Sequence, residues 1–295
     1  MNKRMAAALK DSKQISFDDS DKFVIMSDCH RGDGSHSDNF ANNQHLYFSA
    51  LTGYYNEGFS YIELGDGDEL WENRSFCDIS AEHSHVFWLL RKFFTENRLH
   101  FIYGNHDMDK KNSKWVSANF YECLDERTNK KVPMFPNARI YESIILEKGE
   151  SKKIILVHGH QGDIMNDRFW RINRWLVRYL WKPLEIFGVN DPTGAAKNYK
   201  NRNRIEKRLY NWAHENREIL IAGHTHRPVF PKPGEVGYFN SGSCVHPRCI
   251  TAVEIEKGQI TLVKWSVLTR RDGVLAVFRD ILDGPIPLDD YFAEI

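Results

Sequence analysis

LHFIYGNHD, from Leu99 to Asp107, joins an apolar run to a glycine and then to three polar residues whose side chains can bind metal or move protons. Four further apolar runs end in polar residues of the same kind. Phe23–Met26 runs into SDCHRGDG, Tyr61–Leu64 into GDGDELWE, Ile154–Val157 into HGHQGD, and Ile219–Ala222 into GHTH. Short runs rich in branched and aromatic residues read as buried strands. Between them, Phe40–Tyr55 and His85–Asn97 space their apolar residues by three and four, which predicts helices. Strand alternating with helix predicts an α/β fold. Ile140–Leu146 and Lys152–Val157, joined by Glu147–Ser151, predict a hairpin, so the sheets are mixed. Val236–Asn240, Ile250–Glu256 and Gln259–Trp265, with Lys257-Gly258 as a turn, make the C-terminal part β-rich. Residues 1–20 are polar and read as a loosely held tail.

Composition narrows the function classes. The chain has 295 residues, 41% hydrophobic and 27% charged, which excludes wholesale disorder and allows one large domain or two small ones. Forty basic residues balance forty acidic ones, so no whole-molecule basic field exists for nucleic acid. Five cysteines, scattered and without a CxxC, read as reduced thiols and point to the cytoplasm. The apolar stretch Met5–Leu9 is too short for a signal peptide, and no run approaches the roughly 20 apolar residues of a membrane span.

The polar residues after the strands carry the chemistry. Asp28 and His30 are two apart, so in extended chain their side chains leave on one side, and His224 and His226 repeat the spacing. Chance predicts about 0.9 occurrences of D-x-H, about 0.04 of G-H-x-H and about 0.004 of G-N-H-D in such a chain. Singly, a histidine is most often a packing or surface residue. His36, His45, His83, His85, His100, His214 and His246 read that way, and His160 reads as a neighbour of a ligand. Two cations about 3.5–4 Å apart can clamp water and phosphoryl oxygens for in-line attack, and a shared carboxylate such as Asp66 can hold them at that spacing.

Taken together, DxH at Asp28–His30, GDxxE at Gly65–Glu69, GNHD at Gly104–Asp107, the HGH at His158 and GHTH at Gly223–His226 resemble the calcineurin-like metallophosphoesterases. The likeness spans roughly residues 22–266, apart from one segment. It implies two facing mixed β-sheets flanked by helices, a four-layer α/β/β/α sandwich. It implies Asp28, His30, Asp66 and His226 around a first metal, and Asp66, Asn105, His158 and His224 around a second. It places His106 over the scissile group, aided by Asp107. Mixed imidazole and carboxylate ligands favour Mn, with Fe or Zn as alternatives, over Ca. Many relatives carry an apolar residue after DxH where this chain has Arg31. That side chain is read either as a grip on a substrate phosphate or as a salt bridge to Asp33 or Asp68. Asp68 and Glu69 read as supports of the ligands or anchors of their loop.

Asp163–Glu218 differs in kind. It holds 12 Lys/Arg against 7 Asp/Glu, and four of the eight Trp. It reads as a helical cap inserted into a domain formed by residues 21–162 and 219–295. In DRFWRINRWLVRYLW, Arg168, Arg171, Arg174 and Arg178 share one helix face, and Pro183 ends the helix or soon follows its end. A second helix is predicted over Asn203–Glu215. The arginines are read as solvated, as a lid holding an anionic substrate through Arg171, Arg174 and Arg178, or, with the Trp residues, as an interfacial helix that rests on membrane. The last reading resembles, more loosely, the UDP-diacylglucosamine hydrolases, which have a helical cap and cleave a lipid-linked pyrophosphate. Those enzymes typically have another residue where this chain has His106. The functional expectation is a dinuclear metal-dependent phosphoesterase acting on a phosphorylated small molecule or a lipid-linked substrate. The alternatives are a lipid-linked nucleotide-sugar pyrophosphatase and a non-catalytic, metal-stabilised binding module. Nucleic acid is the least supported partner.

Overall fold

The computed structural model describes residues 1–125, 127–181 and 199–293. The chain runs α1 (Asn2–Leu9), β1 (Lys13–Phe17), β2 (Lys22–Met26), α2 (Gln44–Asn56), β3 (Ser60–Leu64), α3 (Phe76–Glu82), α4 (Ser84–Thr95), β4 (Leu99–Ile102) and α5 (Ser113–Asn119). The small hairpin β5 (Glu122–Asp125) and β6 (Lys130–Pro133) follows, then β7 (Ile140–Tyr141), β8 (Ser143–Lys148) and β9 (Lys152–Val157). Next come α6 (Ile164–Arg168), α7 (Trp170–Leu176), a π-helical turn at Val177–Trp181 and α8 (Tyr199–Asn216). The chain closes with β10 (Ile219–Ala222), β11 (Tyr238–Asn240), β12 (Cys249–Glu256), β13 (Gln259–Thr269), β14 (Leu275–Pro287) and α9 (Leu288–Phe292).

Two mixed sheets form, in the orders β1-β8-β9-β10-β11 and β14-β13-β12-β2-β3-β4-β7. Their facing sides share one core. Ile25, Ile62, Leu64 and Ile102 of the larger sheet meet Ile144, Leu146, Ile154, Leu156, Ile219 and Ile221 of the smaller. The alternate residues of the same strands face the helices. Val24 and Met26 join α2 and α4 residues such as Leu51, Leu90 and Phe93. Ile155, Val157, Leu220 and Ala222 join Ile205, Leu209, Trp212 and Ala213 of α8. Both faces of each central strand are therefore covered, which is why these strands read as unbroken apolar runs. Each fully buried Ile or Leu contributes about 1.5–3 kcal/mol. The result is the four-layer sandwich.

Three boundaries differ from those read off the sequence. Residues 1–20 are not a loose tail: α1 buries Met5 and Ala8, and β1 pairs in parallel with β8 from Lys13↔Ile144 to Phe17↔Lys148. Helix α8 is not part of a separate cap; its residues 205, 209, 212 and 213 follow helical spacing and form the sandwich's outer layer. Strand β14 and helix α9, unforeseen in the sequence, pair with and follow the β12–β13 hairpin. Pro183, and the part of the proposed insertion from 182 to 198, lie outside the described residues.

Candidate metal centre

The parallel pairing of β2 with β3 continues past both strand ends as a ladder between two loops. Asp28 N donates to Gly65 O (3.1 Å), His30 N to Asp66 O (2.9 Å) and Arg31 N to Gly67 O (3.0 Å), and Glu69 N returns to Arg31 O (2.9 Å). The chain is not extended there. Asp28, His30 and Asp66 have φ of 54°, 48° and 50°, and His224 and His226 have 67° and 56°. Left-handed backbone at non-glycine residues costs on the order of 1–3 kcal/mol each and persists where the surroundings enforce it. So Asp28 and His30 converge because the loop coils, not because alternate residues of a strand share a side. Gly104 lets the loop after β4 close on this site: a Cβ there would lie 2.1 Å from Asp66 Oδ1.

Four of the ligand-type residues, Asp28, Asp66, His158 and His30, have one atom tied down and the other turned inward. Asp28 Oδ2 accepts from Ser27 Oγ and His224 N, leaving Oδ1. Asp66 Oδ1 accepts from His106 N (2.8 Å), leaving Oδ2. His158 Nδ1 donates to Leu64 O (2.9 Å), which leaves Nε2 bare, and His30 Nδ1 donates to Glu69 Oε2 (2.7 Å), with its Nε2 3.3 Å from His226 Nε2. The inward atoms form two trios, Asp28/His30/His226 and Asp66/His158/His224, each with its ligand atoms within 4.8 Å of one another. Asp66 Oδ2 lies 3.1 Å from His158 Nε2 and 3.9 Å from His30 Nε2, between the trios. Asp28 Oδ1, His158 Nε2 and both amide atoms of Asn105 are buried without a hydrogen-bond partner. Such atoms cost about 1–3 kcal/mol apiece unless something binds them, so the residues present fit a pair of divalent cations.

Charge in the centre points the same way. Burial pushes the Asp66 carboxyl up, but His158, His106 and His30 outweigh it and hold the group below the usual carboxylate range. Burial pushes His158 down, yet Asp66 and Asp28 bring it up to about 9. A field that attracts protons to buried imidazoles attracts metal cations as well.

His106 stands at the rim of this centre. Its ring stacks on Trp71 (4.2 Å, 23°), meets the His30 ring edge-on (4.6 Å, 84°), and bonds through Nδ1 to Glu69 Oε1 (2.8 Å). Asp107 does not touch that ring. Its carboxylate turns inward, accepting from Gly104 N (2.6 Å), Gly67 N (3.1 Å) and Lys110 Nζ (2.7 Å). Arg31 is likewise committed to the interior. It is fully buried, forks onto Glu63 at 2.7 and 2.9 Å, bonds Asp68 at 2.7 Å and lies over the Phe87 ring. Of its two sequence readings the grip on phosphate is corrected and the bridge to Asp68 stands, with Glu63 as the second partner.

The cap arginines spread out. Arg174 pairs with Asp109 (2.7 Å), and Arg178 donates to the carbonyls of Leu70 (2.6 Å), Trp71 (2.9 Å) and Asn73 (3.2 Å). Arg171 is exposed and lies against Trp170. Four residues around the centre escape the sequence reading, among them Trp71 on the face of His106. Glu63 and Lys110 lie in the buried charge cluster with Arg31. Asp163, which caps α6 through Met165 N and Asn166 N, has Oδ2 3.4 Å from His224 Nε2. The signal for Asp163 was present: it is the last residue of HGHQGD and opens a helix, the position an N-cap occupies.

Among solved structures, Vps29 from Chaetomium thermophilum aligns with 88% of this chain and 96% of its own at 10% identity and a TM-score of 0.41. No curated protein matches the chain. The family model of the calcineurin-like phosphoesterases matches residues 21–228, over two thirds of the chain and every ligand-type residue of the two trios. The strand-end loops, the paired trios and this match together make the chain a member of the calcineurin-like phosphoesterase family.

Proposed function

We propose that the protein is a dinuclear metal-dependent phosphoesterase. One observation carries the reading: buried ligand atoms without hydrogen bonds, on Asp28 and His158, stand in two trios with His30, His224, His226 and Asp66. Two divalent cations held there, Mn first and Fe or Zn as alternatives, would supply Lewis acidity for attack of water on phosphorus. The chain's own residues do the rest. Asp66 holds the two trios together. Trp71 stacks one face of His106, and Glu69 occupies its Nδ1, which leaves Nε2 for substrate. Burial lowers the proton affinity of His106, but Glu69 and Asp66 raise it above the ordinary histidine value. A proton-bearing His106 can donate to the leaving oxygen, work worth about 10²- to 10⁴-fold. Asp107 acts at a distance, by fixing the turn through Gly104, Gly67 and Lys110.

A second reading concerns the substrate. Phe169, Ile172, Trp175 and Tyr179 are 45–59% exposed along one line of the cap, with Arg171 at its edge. This apolar ridge supports a lipid-linked substrate, or peripheral contact with a membrane, over a small polar phosphate.

The test is turnover of four substrates with Mn²⁺: an aryl phosphomonoester, an aryl diester, a nucleoside pyrophosphate and a lipid-linked pyrophosphate. Hydrolysis of at least one, abolished in Asp66→Asn with the fold intact by circular dichroism, is expected. Silence on all four by the metal-loaded protein overturns the enzyme reading and leaves a metal-stabilised binding module.

A further inference from the structure

We infer that Glu69 is a shared positioning residue, one carboxylate that orients both the first-metal ligand His30 and the rim histidine His106. Its Oε2 accepts from His30 Nδ1 at 2.7 Å, and His106 Nδ1 lies 2.8 Å from both Oε1 and Oε2. The carboxylate is itself held, because Trp71 N and Glu72 N donate to Oε1 from the same turn (3.2 and 3.4 Å). That turn also carries the Trp71 ring stacked on His106, and the cap binds its carbonyls through Arg178. The residue is 6% exposed, so water does not compete well for its oxygens.

The two jobs require a carboxylate. Each imidazole must donate from Nδ1 so that its Nε2 carries no hydrogen, and these two donors together with Trp71 N and Glu72 N need acceptors at both oxygen positions. An ionised Glu69 offers both. A glutamine replaces one oxygen with an N–H donor, which in either orientation faces the Nδ1–H of His106 and at least one further N–H group, so a ring must reverse its tautomer or lose the contact. If His30 reverses, its Nε2 carries hydrogen and cannot bind a cation. If His106 reverses, the ring loses the orientation that Glu69 enforces. Asp107 provides no substitute, since its oxygens are occupied by Gly104, Gly67 and Lys110.

The inference rests on the metal reading for the role of His30, and its test does not depend on turnover alone. Mn²⁺ titration calorimetry should show Glu69→Gln binding the first ion about 10- to 100-fold more weakly. His106→Ala should bind as the unaltered protein does. At saturating Mn²⁺, Glu69→Gln should lower kcat with little change in KM, and should lower it no further in a His106→Ala background, while the weaker ion binding persists there. In the unaltered protein, ¹⁵N-histidine spectra of the Zn²⁺-loaded form should show Nδ1 protonated on both His30 and His106. Wild-type ion affinity in Glu69→Gln, or its full kcat once ions saturate, overturns the inference. Should Glu69→Gln fail to fold, the spectra decide: an unprotonated Nδ1 on either ring overturns it.

Discussion

Arg31 shows how one side chain can carry architecture beside a reactive centre. It is among the largest fully buried side chains, and it neutralises Glu63 and Asp68 while Lys110 bridges Asp68 and Asp107. Removing one member of such a cluster leaves uncompensated charge out of water, typically a loss of 3–5 kcal/mol. Arg31→Met is therefore expected to lower stability by about 3–5 kcal/mol in urea unfolding, because Glu63 loses its bidentate partner and Asp68 keeps only Lys110. What survives folded should keep the KM of the parent; a raised KM at unchanged stability would restore the phosphate-grip reading. Gly104 makes a different demand. A methyl group there would strike Asp66 Oδ1, so Gly104→Ala should push Asp66 from between the trios and reduce the Mn²⁺ bound per chain in elemental analysis. The ligand-type residues are legible because each sits just past a strand, and four of the seven (Asp66, Asn105, His158 and His224) adjoin a glycine. Glu63 is not, since it lies inside the strand run YIEL, where a charge looks like solvent-facing alternation yet is fully buried.

The cap's first helices act on the centre through backbone rather than through substrate. Arg178, in the π-helical turn after α7, satisfies three carbonyls of the turn that carries Glu69 and Trp71. Charge-assisted bonds of this kind are worth about 1.5–3 kcal/mol each, enough to hold a loop whose own ladder ends at Glu69. Arg178→Met should loosen that turn. The expected outcome is a severalfold lower kcat with unchanged Mn²⁺ stoichiometry, read by steady-state kinetics beside metal analysis. A rise in KM alone would mean that Arg178 meets substrate after all. Periodicity announced α2, α4 and α8 as amphipathic helices, but amphipathicity names a face to bury and not its partner. Hence α8 was grouped with the basic, Trp-rich stretch although Ile205, Leu209 and Trp212 lie on the strands. The polar edge strand β1, KQISF, alternates exposed and half-buried residues and gave no apolar run to find.

How the two sheets meet at their edge sets a pH limit on the whole sandwich. Strand β1 belongs to one sheet and β4 to the other, and Lys13 Nζ donates to His100 Nδ1 across them at 2.8 Å. A donor from Lys13 requires neutral His100. Burial and then the Lys13 charge lower this histidine from 6.5 to about 4. The sign follows from linkage. As pH falls below about 6.5 the unfolded chain takes up a proton that the folded one refuses until about pH 4, so stability is complete above that window and is lost within it. The shift sets an upper limit of about 3 kcal/mol on the loss. Carboxylates elsewhere contribute their own acid sensitivity, so the useful quantity is a difference. His100→Asn cannot titrate, and urea midpoints from pH 7.5 to 4 should fall less steeply for it than for the parent, with the curves separating below pH 6.5. Parallel curves would mean that the sheet edges separate, or rehydrate, before His100 is charged.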